Sequence, residues 1–118
     1  MLERYQKLMQ AYDPMAGTLT GGKEVSRTLS QLRGCFLDEA AYARALEEED
    51  RLVYRVVAVE PADVSGDLHY GLGVLYPGKV GREYYLTKGH FHETREAAEV
   101  YIGLSGEGCM LLEDEQTG

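Results

Sequence analysis

Short runs of strand length crowd the chain from residue 51 onward, and no helix-length segment separates any two of them. LVYRVVAVE, LHYGLGVLY, REYYLTKGHFH, AEVYIGL and CMLLE are rich in β-branched and aromatic residues, the types that fit a pleated, half-buried surface. PADVSGD, PGKVG and SGEG punctuate them with Gly, Pro and Asp, which turn a chain tightly. Parallel strands need a long crossover, usually a helix, so a βαβ fold is disfavoured. The pattern predicts an all-β domain of antiparallel strands, a sandwich or barrel in which stacking or closure removes exposed edges.

Residues 1–24 carry mixed signals. Leu2, Tyr5, Leu8, Met9 and Tyr12 fit a helical stripe, Leu8 and Tyr12 also fit alternation, and Asp13-Pro14 and Gly21-Gly22 break either pattern. We read this segment as extended. Ser30 can begin a short helical turn closed at Gly34, and Asp38 suits the N-cap of a helix over EAAYARALEEE, whose Ala and Leu content favours it. Glu47-Glu48-Glu49-Asp50 sets negative charge at the negative pole of the helix macrodipole, so the helix should end early, with the acidic run as solvated surface. At 118 residues the chain can enclose one hydrophobic core. A single domain over 1–118 is expected, with an extended and helical segment at 1–50 and barrel strands over 51–118.

Charge narrows the partners. Lys and Arg number 12 against 20 Asp and Glu, a net charge of -8, which leaves no broad basic surface for nucleic acid or an anionic membrane. The opening MLERYQKLMQAYD has no apolar signal core, and no later run approaches the length that spans a bilayer. Both features point to a cytoplasmic protein. Cys35 and Cys109 lack C-x-x-C spacing, so two reduced thiols are the simplest reading.

TKGHFH, residues 87–92, places two of the three histidines one residue apart beside Gly89. On a strand, side chains at i and i+2 share a face, so His90 and His92 can aim at one point inside a barrel, and a nearby carboxylate would complete a metal-binding set. An ordinary surface pair on an edge strand is the bland alternative. The stretch is similar to a general cupin motif, in which a glutamate follows the histidines and a glycine comes after six intervening residues. Spacing alone chooses Glu96, followed by Gly103, although Glu99 is likewise followed by Gly106. Glu96 sits in the polar link ETREAA, whereas Glu99 opens EVYIGL and shares a face with Tyr101. A ligand on a strand is held better than one on a loop, which favours Glu99.

YPGKVGREYYLTKGHFH followed by AEVYIGLSGEGCMLLE resembles the cupin-type glucose-6-phosphate isomerases of archaea and some bacteria, and the likeness extends upstream through GGKEVSRTLSQLRGCFLDEAAY and LVYRVVAVE. The resemblance implies a cupin fold, a double-stranded β-helix or jelly-roll barrel with one or two short N-terminal helices. It implies one divalent metal ion (Fe, Mn, Ni or Zn) held by His90, His92 and Glu99, and interconversion of glucose 6-phosphate and fructose 6-phosphate in glycolysis and gluconeogenesis. Thr87, Gly89 and Tyr54 would lie near the sugar phosphate, Tyr101 would line the same pocket, and a homodimer would be the habit of the family. A divalent ion can stabilise the charge that develops on the substrate carbonyl. Glu99 is the candidate base for an enediol route, and a hydride shift stays open. Lys88 or Arg82 could assist backbone N–H groups and hydroxyls in holding the phosphate.

Two departures from the family pattern stand out. Family members continue past this point and supply a fourth ligand, a histidine, so this sequence is expected to be a C-terminally truncated barrel with later strands missing. His69 is outside the motif and reads as a surface or packing residue. Gly71-Leu72-Gly73 carries glycines where hydroxyl residues would suit a phosphate, and could mark a bulge or a close approach. Two other functions compete with the isomerase: another metal cupin, such as a non-haem iron dioxygenase, and a sugar-phosphate-binding cupin fragment without turnover. Tyr84 and Tyr85 read as core residues.

Overall fold

The computed structural model describes residues 11–59 and 68–117. Leu2, Tyr5, Leu8 and Met9 of the ambiguous stripe lie outside them. Tyr12–Asp13 (β1) and Thr18–Leu19 (β2) form an antiparallel hairpin. Its turn is shaped by Asp13, whose Oδ1 accepts the N–H groups of Met15 and Ala16 at 2.9 and 3.1 Å, and by Gly17 at φ 63°. Lys23–Thr28 (β3), Leu52–Val59 (β4) and Tyr70–Leu75 (β5) make an antiparallel sheet in the order β3-β4-β5. Lys79–Val80 (β6) and Glu83–Tyr84 (β7) form a last, short hairpin. Arg55 on β4 ties the first hairpin to the sheet through Ala16 O at 2.8 Å, Glu24 Oε2 at 3.1 Å and the Tyr76 hydroxyl at 3.1 Å.

Between β3 and β4 the chain turns through a 3-10 helix, Leu29–Leu32, and then an α-helix, Glu39–Glu48 (α1). The first starts one residue before Ser30, with Thr28 as cap and Gln31 Oε1 accepting Thr28 N–H at 3.0 Å, and Gly34 follows at φ 81°. Asp38 caps α1 as the sequence predicts, its Oδ1 accepting Ala41 N–H at 2.8 Å. The helix ends where the acidic run begins to accumulate, with Glu49 already extended. That run is not merely solvated surface. Asp50 accepts Ser30 N–H at 2.8 Å, Ser30 Oγ–H at 2.7 Å and Thr28 Oγ1–H at 3.1 Å, so it stitches the end of α1 to the start of the 3-10 helix.

The core lies where the helices pack on the sheet. Leu29, Leu32, Val53 and Val80 are wholly buried, joined by Phe36, Ala41, Tyr42, Tyr54 and Tyr85. Tyr42 sends its hydroxyl to Leu29 O at 2.6 Å, which satisfies the polar end of a buried ring.

Two expectations are corrected here. β4, β5 and the antiparallel arrangement match the sequence pattern, and the described residues form three small sheets of two, three and two strands, with no closed barrel. Of REYYLTKGHFH only Glu83–Tyr84 is strand, and neither AEVYIGL nor CMLLE is. Their composition suits strands, but a strand exists only with a hydrogen-bonded neighbour, and no described segment pairs with them. The radius of gyration, 17.0 Å, exceeds the about 13 Å of a compact chain of this length, as an arm leaving the core requires. Tyr85 is a core residue as expected, whereas Tyr84 is 71% exposed with Lys79 Nζ 4.3 Å from its ring centre. No helix among the described residues is long and apolar enough to cross a membrane.

Candidate metal centre

The TKGHFH segment leaves the core just after Tyr85 and Leu86. Val80 is buried, Tyr85 N–H bonds Gly78 O at 3.0 Å, and a side chain at Gly78 would run into the Tyr85 ring, so the hairpin before the motif is held firmly. From Thr87 onward the backbone follows no strand. His90 and His92 are therefore not presented by strand alternation, although their rings still lie 5.7 Å apart, inclined by 35°.

A tight turn brings the carboxylate back. Ala97 N–H bonds Thr94 O at 3.0 Å, and the returning chain sets Ala97 O 3.0 Å from His92 Nδ1 and Glu99 Oε2 3.0 Å from His92 Nε2. Glu99, rather than Glu96, reaches the histidine. No strand holds it; the turn does. Tyr101 donates its hydroxyl to Glu99, and this bond, ahead of the His92 contact and the nearby His90, holds the Glu99 carboxyl below the usual range. The same bond pushes the Tyr101 phenol up. His92 is raised chiefly by Ala97 O and then by Glu99, because the imidazolium donates from both nitrogens.

The histidine pair borders an open cavity of about 450 Å³ that also receives Arg95, Asp114 and Glu115. Arg95 Nη2 pairs with Glu115 Oε2 at 3.3 Å across it. Among the described residues, no three His, Cys, Asp or Glu groups converge closely enough to hold a metal ion as they stand. The donor types nonetheless fit one. His92 Nδ1 at a backbone carbonyl favours the tautomer whose Nε2 lone pair binds metal, a support that metal-ligating histidines commonly have, and Glu99 is already at that nitrogen.

The remaining sequence candidates are scattered. Thr87, Gly89 and Lys88 are exposed, and a Cβ on Gly89 would meet nothing within 4 Å, so no close backbone approach explains that glycine. Tyr54 packs in the core from β4. In the GLG stretch, a Cβ on Gly71 would meet Val57 O at 3.0 Å, a close approach in the regular β4–β5 pairing, while Gly73 is open. His69 is exposed, and Cys35 and Cys109 are free thiols. The Ala97 carbonyl and the Arg95–Glu115 pair were not legible in the sequence, since nothing in the residue pattern fixes how the chain folds back after His92.

Comparison with known proteins places the chain in a family. Residues 26–118 match the family model described as glucose-6-phosphate isomerase (GPI). A glucose-6-phosphate isomerase of Pyrococcus horikoshii is 51% identical over 98 residues, covering 83% of this chain and 52% of that protein. One from Thermococcus kodakarensis is 50% identical over 101 residues, covering 86% and 53%, and one from Pyrococcus furiosus is 50% identical over 97 residues, covering 82% and 51%. The chain spans about half the length of the curated relatives it matches. It belongs to the glucose-6-phosphate isomerase family.

Proposed function

We propose that the chain carries the metal-binding part of a cupin-type isomerase that interconverts glucose 6-phosphate and fructose 6-phosphate, with later strands completing the barrel and a homodimer as the working form. The observation that carries this reading is Glu99 at 3.0 Å from His92 Nε2, with Tyr101 on the same carboxylate and His90 alongside. A divalent ion on His90, His92 and Glu99 would supply Lewis-acid stabilisation of the charge that grows on the sugar carbonyl.

The protein's own groups do the rest. Ala97 O fixes the His92 tautomer. Tyr101 and His92 keep Glu99 ionised, which leaves it able to take the proton from one of the two carbons, C1 or C2, and return it to the other. Thr87 and Gly89, both exposed at the start of the motif, offer a hydroxyl and an N–H to the phosphate. The core position of Tyr54 supports packing more than direct contact.

Incubating the chain with fructose 6-phosphate and Mn(II) or Fe(II), with and without chelator, tests the reading by NMR. Chelator-sensitive glucose 6-phosphate is the expected product. In deuterium oxide, label at its C2 would mark the proton route and absence of label a hydride shift. Oxygen uptake with iron in place of isomerisation would overturn the assignment in favour of oxygen chemistry.

A further inference from the structure

We propose that Glu83 is the positioning residue of the TKGHFH segment, acting through the start of α1; this rests on the metal-centre reading above. The Glu83 carboxylate accepts Leu37 N–H on both oxygens at 3.0 Å and Asp38 N–H on Oε2 at 3.0 Å. A half-buried carboxylate from the last hairpin thus occupies the donor-rich approach to a helix whose own cap, Asp38, is engaged with Ala41. The turn of that hairpin sits against the same helix end: a Cβ on Gly81, at φ 58°, would lie 3.0 Å from Ala41 Cβ and 3.3 Å from Asp38 Oδ2.

This contact fixes where the histidine loop begins. Glu83 and Tyr84 form β7, Tyr85 returns to the core, and the motif follows at Thr87 with no strand of its own. A loop without a ladder takes its origin and direction from its last anchored residues. Helix capping alone does not require Glu83, because Asp38 already serves the first turn. What Glu83 adds is the orientation of the hairpin relative to α1, and hence of His90 and His92 relative to the core.

The test compares Glu83→Gln, which keeps one acceptor oxygen, with Asp38→Ala, which weakens α1 but leaves the backbone donors to Glu83 in place. His90→Ala serves as the control without a site. Both stability by circular dichroism and Mn(II) affinity are read at a temperature where every variant is folded. Positioning predicts about tenfold weaker Mn(II) binding in Glu83→Gln, with Asp38→Ala within twofold of the parent although its melting temperature falls. Equal losses of affinity in the two variants would reduce Glu83 to a structural residue. Backbone amide NMR signals of residues 87–92 give a second reading with no metal present. They should shift in Glu83→Gln and stay in place in Asp38→Ala; unmoved signals in Glu83→Gln would overturn the proposal whatever the metal does. Parent protein that binds Mn(II) no better than His90→Ala would count against the metal centre alone, because the amide signals still decide the role of Glu83.

Discussion

The local chemistry of the site turns on three side chains and one carbonyl. Glu99 is held ionised first by the Tyr101 hydroxyl and then by His92, while His92 is raised by Ala97 O and Glu99. Tyr101→Phe removes the larger support, so in the metal-free protein the Glu99 carboxyl should titrate at higher pH than in the parent. Carboxyl NMR titration would show it, and an unchanged midpoint would mean that Tyr101 does not govern Glu99. The sequence singled out His90 and His92 by type and spacing, and Glu99 and Tyr101 by an expected strand face and by resemblance, although a turn and not a strand brings Glu99 to His92. It left unread Ala97 O and the fold-back that delivers it, because a backbone carbonyl carries no residue-type signal. Tyr42→Phe leaves Leu29 O without its buried donor and should cost about 1 kcal/mol in a urea melt.

At the scale of elements, local signals were legible and distant ones were not. The Asp38 cap and the apolar run of β4 follow from residues a few positions apart. Glu83 meets Leu37 across 46 positions, and Asp50 meets Ser30 across 20, so Asp50 reads in sequence as plain surface charge and nothing nearby in sequence marks Glu83. The strand pattern of EVYIGL is genuine in composition, but pairing depends on a neighbour that its own residues do not supply. Asp50 gives this scale a measurable consequence. Ser30 N–H first and then the Ser30 hydroxyl outweigh an opposing effect of burial and, with a lesser contribution from the Thr28 hydroxyl, hold its carboxyl below the usual range. The folded protein therefore gains stability from Asp50 above the ordinary aspartate pKa and loses it as pH falls through the lowered value. Thermal melts of Asp50→Asn should show lower stability than the parent at neutral pH and a shallower loss on acidification. Parallel curves would show that the carboxylate contributes nothing beyond an amide.

Across the whole molecule, a packed β and helix unit is joined to an arm whose apolar residues face solvent: Val100 is 83% exposed, Ile102 76%, Leu111 95% and Leu112 81%. Unpaired strand-type sequence of this kind favours association with further strands, and the curated relatives, about twice as long, have polypeptide to spare for it. Hydrogen exchange should divide the chain accordingly. Amides of β4 should be protected and those of residues 99–112 should exchange like an open peptide; protection of 99–112 that appears with rising protein concentration would identify a second copy as the cover. The most direct test of the metal centre is the Mn(II) stoichiometry of the parent, His92→Ala and Glu96→Gln proteins by equilibrium dialysis. One ion per chain is expected in the parent and Glu96→Gln and none in His92→Ala, whereas one ion retained by His92→Ala would show that His92 is not a ligand.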